Sequence, residues 1–333
     1  MFGNKTGWII SAIIVVLEGL GMYALYTVSQ PSDPTKLGEQ AAKYTLELPV
    51  PPRPLASSFM TDNSQPGSGE MYLKAIQDYR AHQKDYEAFY ARKDFLPKPN
   101  QKVDPAAVPA PPEELAGIKL LKDATKFANA RPFSGDAAKY GEIINYQTNK
   151  QALEDLGQVV NCTWHMGRWQ RAKGNVAEAR ACVQAIYSLG VKLYDERLMF
   201  EECEKGLGFI NMGAADLAVL DAAQKAALTD YKEQEQTFYN DRLKPVQKAT
   251  HIINANTGDL IAFARHGGDR MWRIEAMLAL GRVKFTADRV GDQKSAVRVL
   301  KAIANDPTEE PTVHFAAKLA ADLTVEEFRL QGN

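Results

Sequence analysis

From Pro112 to the C-terminus, apolar residues recur at three- and four-residue steps, and neither a run of alternating β-branched residues nor an Asn-Gly or Asp-Gly hairpin pair interrupts them. An amphipathic helix must bury its apolar stripe, and with no sheet to pack on it can do so only against other helices. The fold class expected is therefore all-α. The pattern predicts helices over Glu113–Ala130, Asp136–Tyr146, Lys150–Ala172, Val176–Leu189, Tyr194–Met212, Ala214–Ala227, Asp230–Leu243, Pro245–Asn254, Asp259–Arg265, Asp269–Thr286, Gln293–Asn305, Val313–Leu323 and Val325–Leu330. Gly174, Gly190 and Gly213 are placed as left-handed helix stops, Pro245 as a first-turn residue, and Thr324 with Glu327 as a capping box.

The N-terminus has a different character. Trp8 to Val28 carries one charged residue, Glu18, and at about 1.5 Å per residue this length crosses a hydrocarbon core of roughly 30 Å. The segment lacks the small-residue cleavage pattern of a secretory signal, so residues 1–29 read as an uncleaved transmembrane anchor; a cleaved signal on a secreted protein is the alternative. Trp8, Tyr23 and Tyr26 suit the two interfaces. Lys5 before the span, with no Lys or Arg in the residues just after it, predicts a cytoplasmic N-terminus and a periplasmic or extracytoplasmic bulk, in a single-pass inner-membrane topology. A carboxyl group at mid-span is costly unless neutral or paired. Glu18 is thus either a protonated passenger or a contact to another membrane subunit beside Gly19 and Gly21.

Prolines divide the next part of the chain. Residues 30–69 include Pro31, Pro34, Pro49, Pro51, Pro52, Pro54 and Pro66, which excludes a continuous helix and predicts an extended tether. Residues 70–112 hold one amphipathic helix, about Glu70 to Phe95, and a second proline-rich linker. The helix shows a tyrosine-rich face that includes Tyr79 and Tyr86, readable as a cap on the main domain or as a docking face for a partner. Residues 113–333 form the remaining helical domain.

That domain contains an internal echo. Gly167 and Gly206, Gly174 and Gly213, and Ala179 and Ala218 each stand 39 residues apart. The order Met166-Gly167, Gly174-Asn175, Ala179, Val183, Ile186 resembles the tetratricopeptide pattern, and Leu280-Gly281, Gly291-Asp292, Ala296, Leu300, Ile303, Pro307 looks like the same motif with a longer turn. HEAT- or armadillo-like stacking is the alternative for the C-terminal part. The resemblance implies an irregular α-solenoid of antiparallel helix pairs, a concave surface that holds a peptide or a partner's helix, and no cofactor. Gly167, Gly174, Gly206, Gly213, Gly281, Ala179 and Ala296 would be its repeat-packing residues.

Residues with potential chemistry are scattered. Cys162 and His165 have the spacing of two metal ligands on one helix, but no second pair follows to complete four ligands, so Cys162, Cys182 and Cys203, on three successive helices, read as one core layer rather than a metal site. His266-Gly-Gly-Asp269, flanked by Arg265 and Arg270, could offer backbone amides to an anion or be an ordinary turn. Glu201, Glu202 and Glu204 with Asp195 and Glu196 spread over several helix faces. A formal net charge of −1, from 40 basic and 41 acidic residues without a long basic run, argues against nucleic-acid binding. No nucleophile–base motif occurs. The expectation is a non-catalytic, membrane-anchored scaffold or accessory subunit that binds other proteins, with Glu18, Tyr79, Tyr86, Arg265 and Arg270 as candidate contacts. A periplasmic hydrolytic or lytic enzyme on a helical scaffold is the rival.

Overall fold

The computed structural model describes residues 59–64, 68–92, 104–110, 113–128, 146–220, 225–245, 247, 257–283 and 290–331. Trp8 to Val28, Glu18 and most of the proline-rich stretch lie outside them. Among the described residues there are eleven α-helices and one π-helical turn: α1 (Gly69–Ala81), α2 (Gln83–Ala91), α3 (Ala116–Ala124), α4 (Tyr146–Ala172), α5 (Val176–Glu196), α6 (Phe200–Leu220), α7 (Lys225–Phe238), the π turn (Tyr239–Leu243), α8 (Thr257–His266), α9 (Arg270–Arg282), α10 (Val290–Ala304) and α11 (Pro311–Gln331). The all-α class is what the structure shows. None of these helices is long and apolar enough to cross a membrane.

The helices fall into two compact units: the described part of Leu46–Gln247 with Glu309–Ala316, and the described part of Lys248–Thr308 with Ala317–Asn333. In the first, α4 and α5 form a hairpin whose turn is made by Gly174 at φ +84°, a conformation that residues with a Cβ rarely adopt. Gly167 lies where α4 meets α5, its missing side chain leaving 3.0 Å to Cys182 Cβ. Against the other side of α5 packs α6, and here the backbones themselves touch. A Cβ at Gly190 would stand 2.6 Å from the Ile210 amide nitrogen, one at Gly206 2.8 Å from that of Tyr194, and one at Gly213 2.9 Å from Tyr187 Cα. Residue numbers rise along α5 as they fall along α6 through these contacts, so the pair is antiparallel.

This contact corrects two helix boundaries. Gly190 and Gly213, expected as stops, lie inside α5 and α6, because their value here is the absence of a side chain at the crossing rather than left-handed freedom. With Gly174 in a turn and Gly213 in mid-helix, the 39-residue echo joins positions of different structure. The single helix expected over Glu70–Phe95 is also two, broken at His82, whose imidazole Nδ1 lies 3.0 Å from Asp78 Oδ1.

Asp78 is the organiser of this corner. Its Oδ2 accepts from the Tyr86 hydroxyl at 2.6 Å and from the Gly117 amide at 2.9 Å, tying α1, α2 and the first turn of α3 to one carboxylate. Around it Tyr72, Ile76, Phe89, Ile118, Leu121, Leu156, Val160, Ile186 and Leu189 make the core of the first unit. Tyr79 and Tyr86 belong to that core, so the tyrosine face drawn for a partner is interior instead. The extended residues before α1 are docked as well: Asp62 donates its amide to Lys126 O at 2.9 Å and accepts from the Ala128 amide at 2.8 Å.

In the second unit α8 and α9 form a hairpin, and Gly281 of α9 approaches the α11 backbone so closely that a Cβ there would lie 3.0 Å from Ala320 Cα. Ala296 of α10 is fully buried. The break expected at Thr324 is absent. Its hydroxyl donates back to Ala320 O at 2.7 Å and its carbonyl accepts from Gln293 Nε2 at 3.1 Å, so buried Thr324 is held within a continuous α11 rather than capping a new helix. Gly291, expected in a turn with Asp292, lies in the first turn of α10.

Two neighbouring glycines of α6 test the backbone crossing. Gly206→Ala should force α5 and α6 apart and destabilise the protein by about 1–3 kcal/mol. Gly208→Ala, on the exposed side with nothing within 4 Å, should stabilise the helix by up to about 1 kcal/mol. Thermal melts giving equal shifts for both would contradict the crossing.

Candidate protein-binding face

Along one edge of α4, residues at i, i+1 and i+4 bring two aromatic rings and a guanidinium into a stack. Tyr90, from the end of α2, lies 4.6 Å from the His165 ring, His165 lies 5.5 Å edge-on to Trp164, and Arg168 covers the other part of Trp164 with its guanidinium 4.7 Å from the ring centre. One residue further along, Trp169 donates its indole N–H to Pro109 O at 2.9 Å and carries Arg92 over its ring at 5.1 Å. His165 and Trp169 are buried, whereas Tyr90, Arg92, Trp164 and Arg168 are half-buried.

The stack is held from α6. Asp216 accepts the Trp164 indole N–H through Oδ2 and faces Arg171 at 3.5 Å through Oδ1. One carboxylate therefore fixes both the ring and the neighbouring cation. Trp, Tyr and Arg on rigid helices are the residues that dominate protein–protein contacts, because they offer large area with little conformational entropy to lose.

The residues singled out from the sequence are placed elsewhere. Arg265 is exposed at the end of α8 and Arg270 half-buried at the start of α9, both in the second unit. In the turn between them the Gly267 amide donates to Phe263 O at 2.9 Å, and the Asp269 carboxylate accepts from the Met271 amide at 2.9 Å and so caps α9 with its own negative charge. The acidic cluster disperses too, Glu202 accepting from the Leu198 amide and Glu204 from Tyr239 Oη at 3.1 Å and Gln247 Nε2 at 3.3 Å. Cys162, Cys182 and Cys203 are buried, and burial pushes the thiols of Cys162 and Cys182 up to about 12, far from a reactive thiolate. Among the described residues no three His, Cys, Asp or Glu side chains group as metal ligands.

Sequence reasoning missed this face. The Trp164–Arg168 spacing of one helical turn was a readable signal, but Asp216 and Tyr90 reach it from other helices. Comparison with known proteins returns no matching family model, no similar curated protein and no matching solved structure.

Asp216→Ala should leave the Trp164 N–H without its acceptor and Arg171 without its counter-charge, lowering stability by about 1–3 kcal/mol in urea unfolding. Asp216→Asn, which keeps one acceptor oxygen, should cost less. Parental stability for the alanine variant would show that Asp216 does not brace the stack.

Proposed function

We propose that this protein is a non-catalytic, membrane-anchored scaffold or accessory subunit that binds another protein through its helical domain, outside the cytoplasm. The observation that carries the reading is the half-buried Trp164–Arg168 pair, braced by Asp216 on two long helices and continued by Tyr90 and Arg92. A rigid aromatic–guanidinium edge has the composition of an interface hot spot. The packed helix pairs are compatible with the solenoid that the tetratricopeptide-like residues imply, with HEAT- or armadillo-like stacking as the alternative for α9 to α11. Trp8 to Val28 supports the anchor, and Glu18 within it is a candidate contact to a second membrane subunit.

Two experiments test the reading. The full chain should fractionate with membranes and resist alkaline extraction, since burying an apolar helix is far stronger than surface attraction; release by salt alone would overturn the anchor. A photo-crosslinker replacing Arg168 in the full chain should label a discrete protein in native membranes, and Trp164→Ala should abolish the adduct. A crosslinker pattern confined to lipid, or one indifferent to Trp164, would overturn the binding face.

A further inference from the structure

Deep in the first unit, away from the α4 edge, a lysine occupies a place that chains seldom give to one. Lys192, in the last turns of α5, is 1% exposed. Its Nζ donates to the carbonyl of Ala124, the last residue of α3, at 2.7 Å, and lies 3.1 Å from the Tyr72 hydroxyl of α1 and 5.5 Å from that ring's centre. One turn earlier on α5, Ser188 donates its hydroxyl to Thr125 O at 3.2 Å. Ser68, Tyr72 and Ser188 are all buried. Two side chains of α5 thus hold the C-terminal carbonyls of α3, and the residues immediately beyond, Lys126 and Ala128, are those to which Asp62 is hydrogen-bonded.

Tyr72 is the titratable group that faces the amine from α1, α3 presents the Ala124 carbonyl, and Glu196 on α5 itself is the acid that acts on it. Beside Tyr72 the neighbouring crevice of about 10 Å³ is apolar, lined by Ala152, Leu153 and Leu156 of α4 with Leu189 and Leu193 of α5. An uncharged amine keeps both contacts with its two N–H bonds, donating to Ala124 O and to the Tyr72 oxygen. An ammonium keeps the same two contacts but has lost nearly all its water.

We propose that Lys192 is a proton-dependent latch, whose uncharged amine locks the end of α3, and with it the docked residues 59–64, to α1 and α5, and whose protonation loosens that lock. Burial moves the amine from its ordinary value down to about 7, with Glu196 opposing the shift. In an opened state where Lys192 meets water, the amine takes its proton back at its ordinary pKa near 10.4. Between that value and 7 the open state binds a proton the closed state lacks, so falling pH favours opening, and below 7 both states are protonated and the effect levels off. The latch would thereby control how firmly residues 59–64 are held to the end of α3.

Hydrogen exchange on the full chain in detergent tests this, with rates corrected for intrinsic pH dependence. The Asp62 and Ala128 amides, donors of the two hydrogen bonds of the docked segment, should lose protection by up to about tenfold per unit from pH 9 to pH 7 and level off below pH 6. Amides at the α5–α6 crossing should not follow. In Lys192→Met the pH dependence should vanish. Flat protection across this range in the native chain, or the same loss persisting in Lys192→Met, would overturn the latch. Should the variant not fold, the ¹³Cε shift of Lys192 in the native chain decides: titration near neutral pH supports the latch, and titration near pH 10 refutes it.

Discussion

The backbone contact between α5 and α6 is the constraint from which the first unit is built. Helices with ordinary side chains at a crossing keep their axes 8–10 Å apart, and closer approach requires residues without side chains at every point of contact. Gly190, Gly206 and Gly213 supply those points, and with the backbones in contact the large side chains beside them, Tyr187, Tyr194 and Ile210, are driven into neighbouring layers. The position of α6 in turn brings Asp216 to Trp164, so the surface edge proposed to bind a partner is set by glycines well inside the protein.

A second organising interaction acts at the other end of the unit. Asp78 gathers the Tyr86 hydroxyl and the Gly117 amide on one oxygen and meets His82 with the other, joining three short helices that could not hold their places by propensity alone. Gly117 is required here for space, since a Cβ would fall 2.2 Å from the Tyr86 oxygen. α3 then presents its C-terminal carbonyls to Lys192 and Ser188. The polar junctions at its two ends place α3 in register, while the apolar core around Ile118 and Leu121 supplies the bulk of the driving force.

The same residue type has different consequences in these places. Arg168, half-buried on α4, lies with its guanidinium 4.7 Å from the Trp164 ring centre. Lys122 bridges Glu114 and Glu178 in a half-buried setting and stays charged, since its neighbours offset its loss of water. Lys192 has Glu196 as its counter-charge but is wholly enclosed, so its proton becomes conditional. Composition alone treats the three cations alike. Their electrostatic roles depend on how much water each retains and which carboxylates lie within reach.

The helical class was legible in the sequence because apolar periodicity is a local property, set by which side chains share a face within a few turns. So was the turn at Gly174, where a Gly-Asn pair follows a helix and nothing distant is needed. Gly190, Gly213 and Thr324 were misread for the complementary reason: a glycine that ends a helix and one that admits a neighbouring helix look the same in one dimension, as do a threonine that caps and one that bonds back to its own helix. Tyr79 and Tyr86 have the spacing of an amphipathic face, and spacing does not say whether a neighbour covers that face. Only the tertiary structure decided that Asp216 meets Trp164 and that Lys192 meets Ala124 and Tyr72, because such pairs depend on close packing between helices that are remote in sequence.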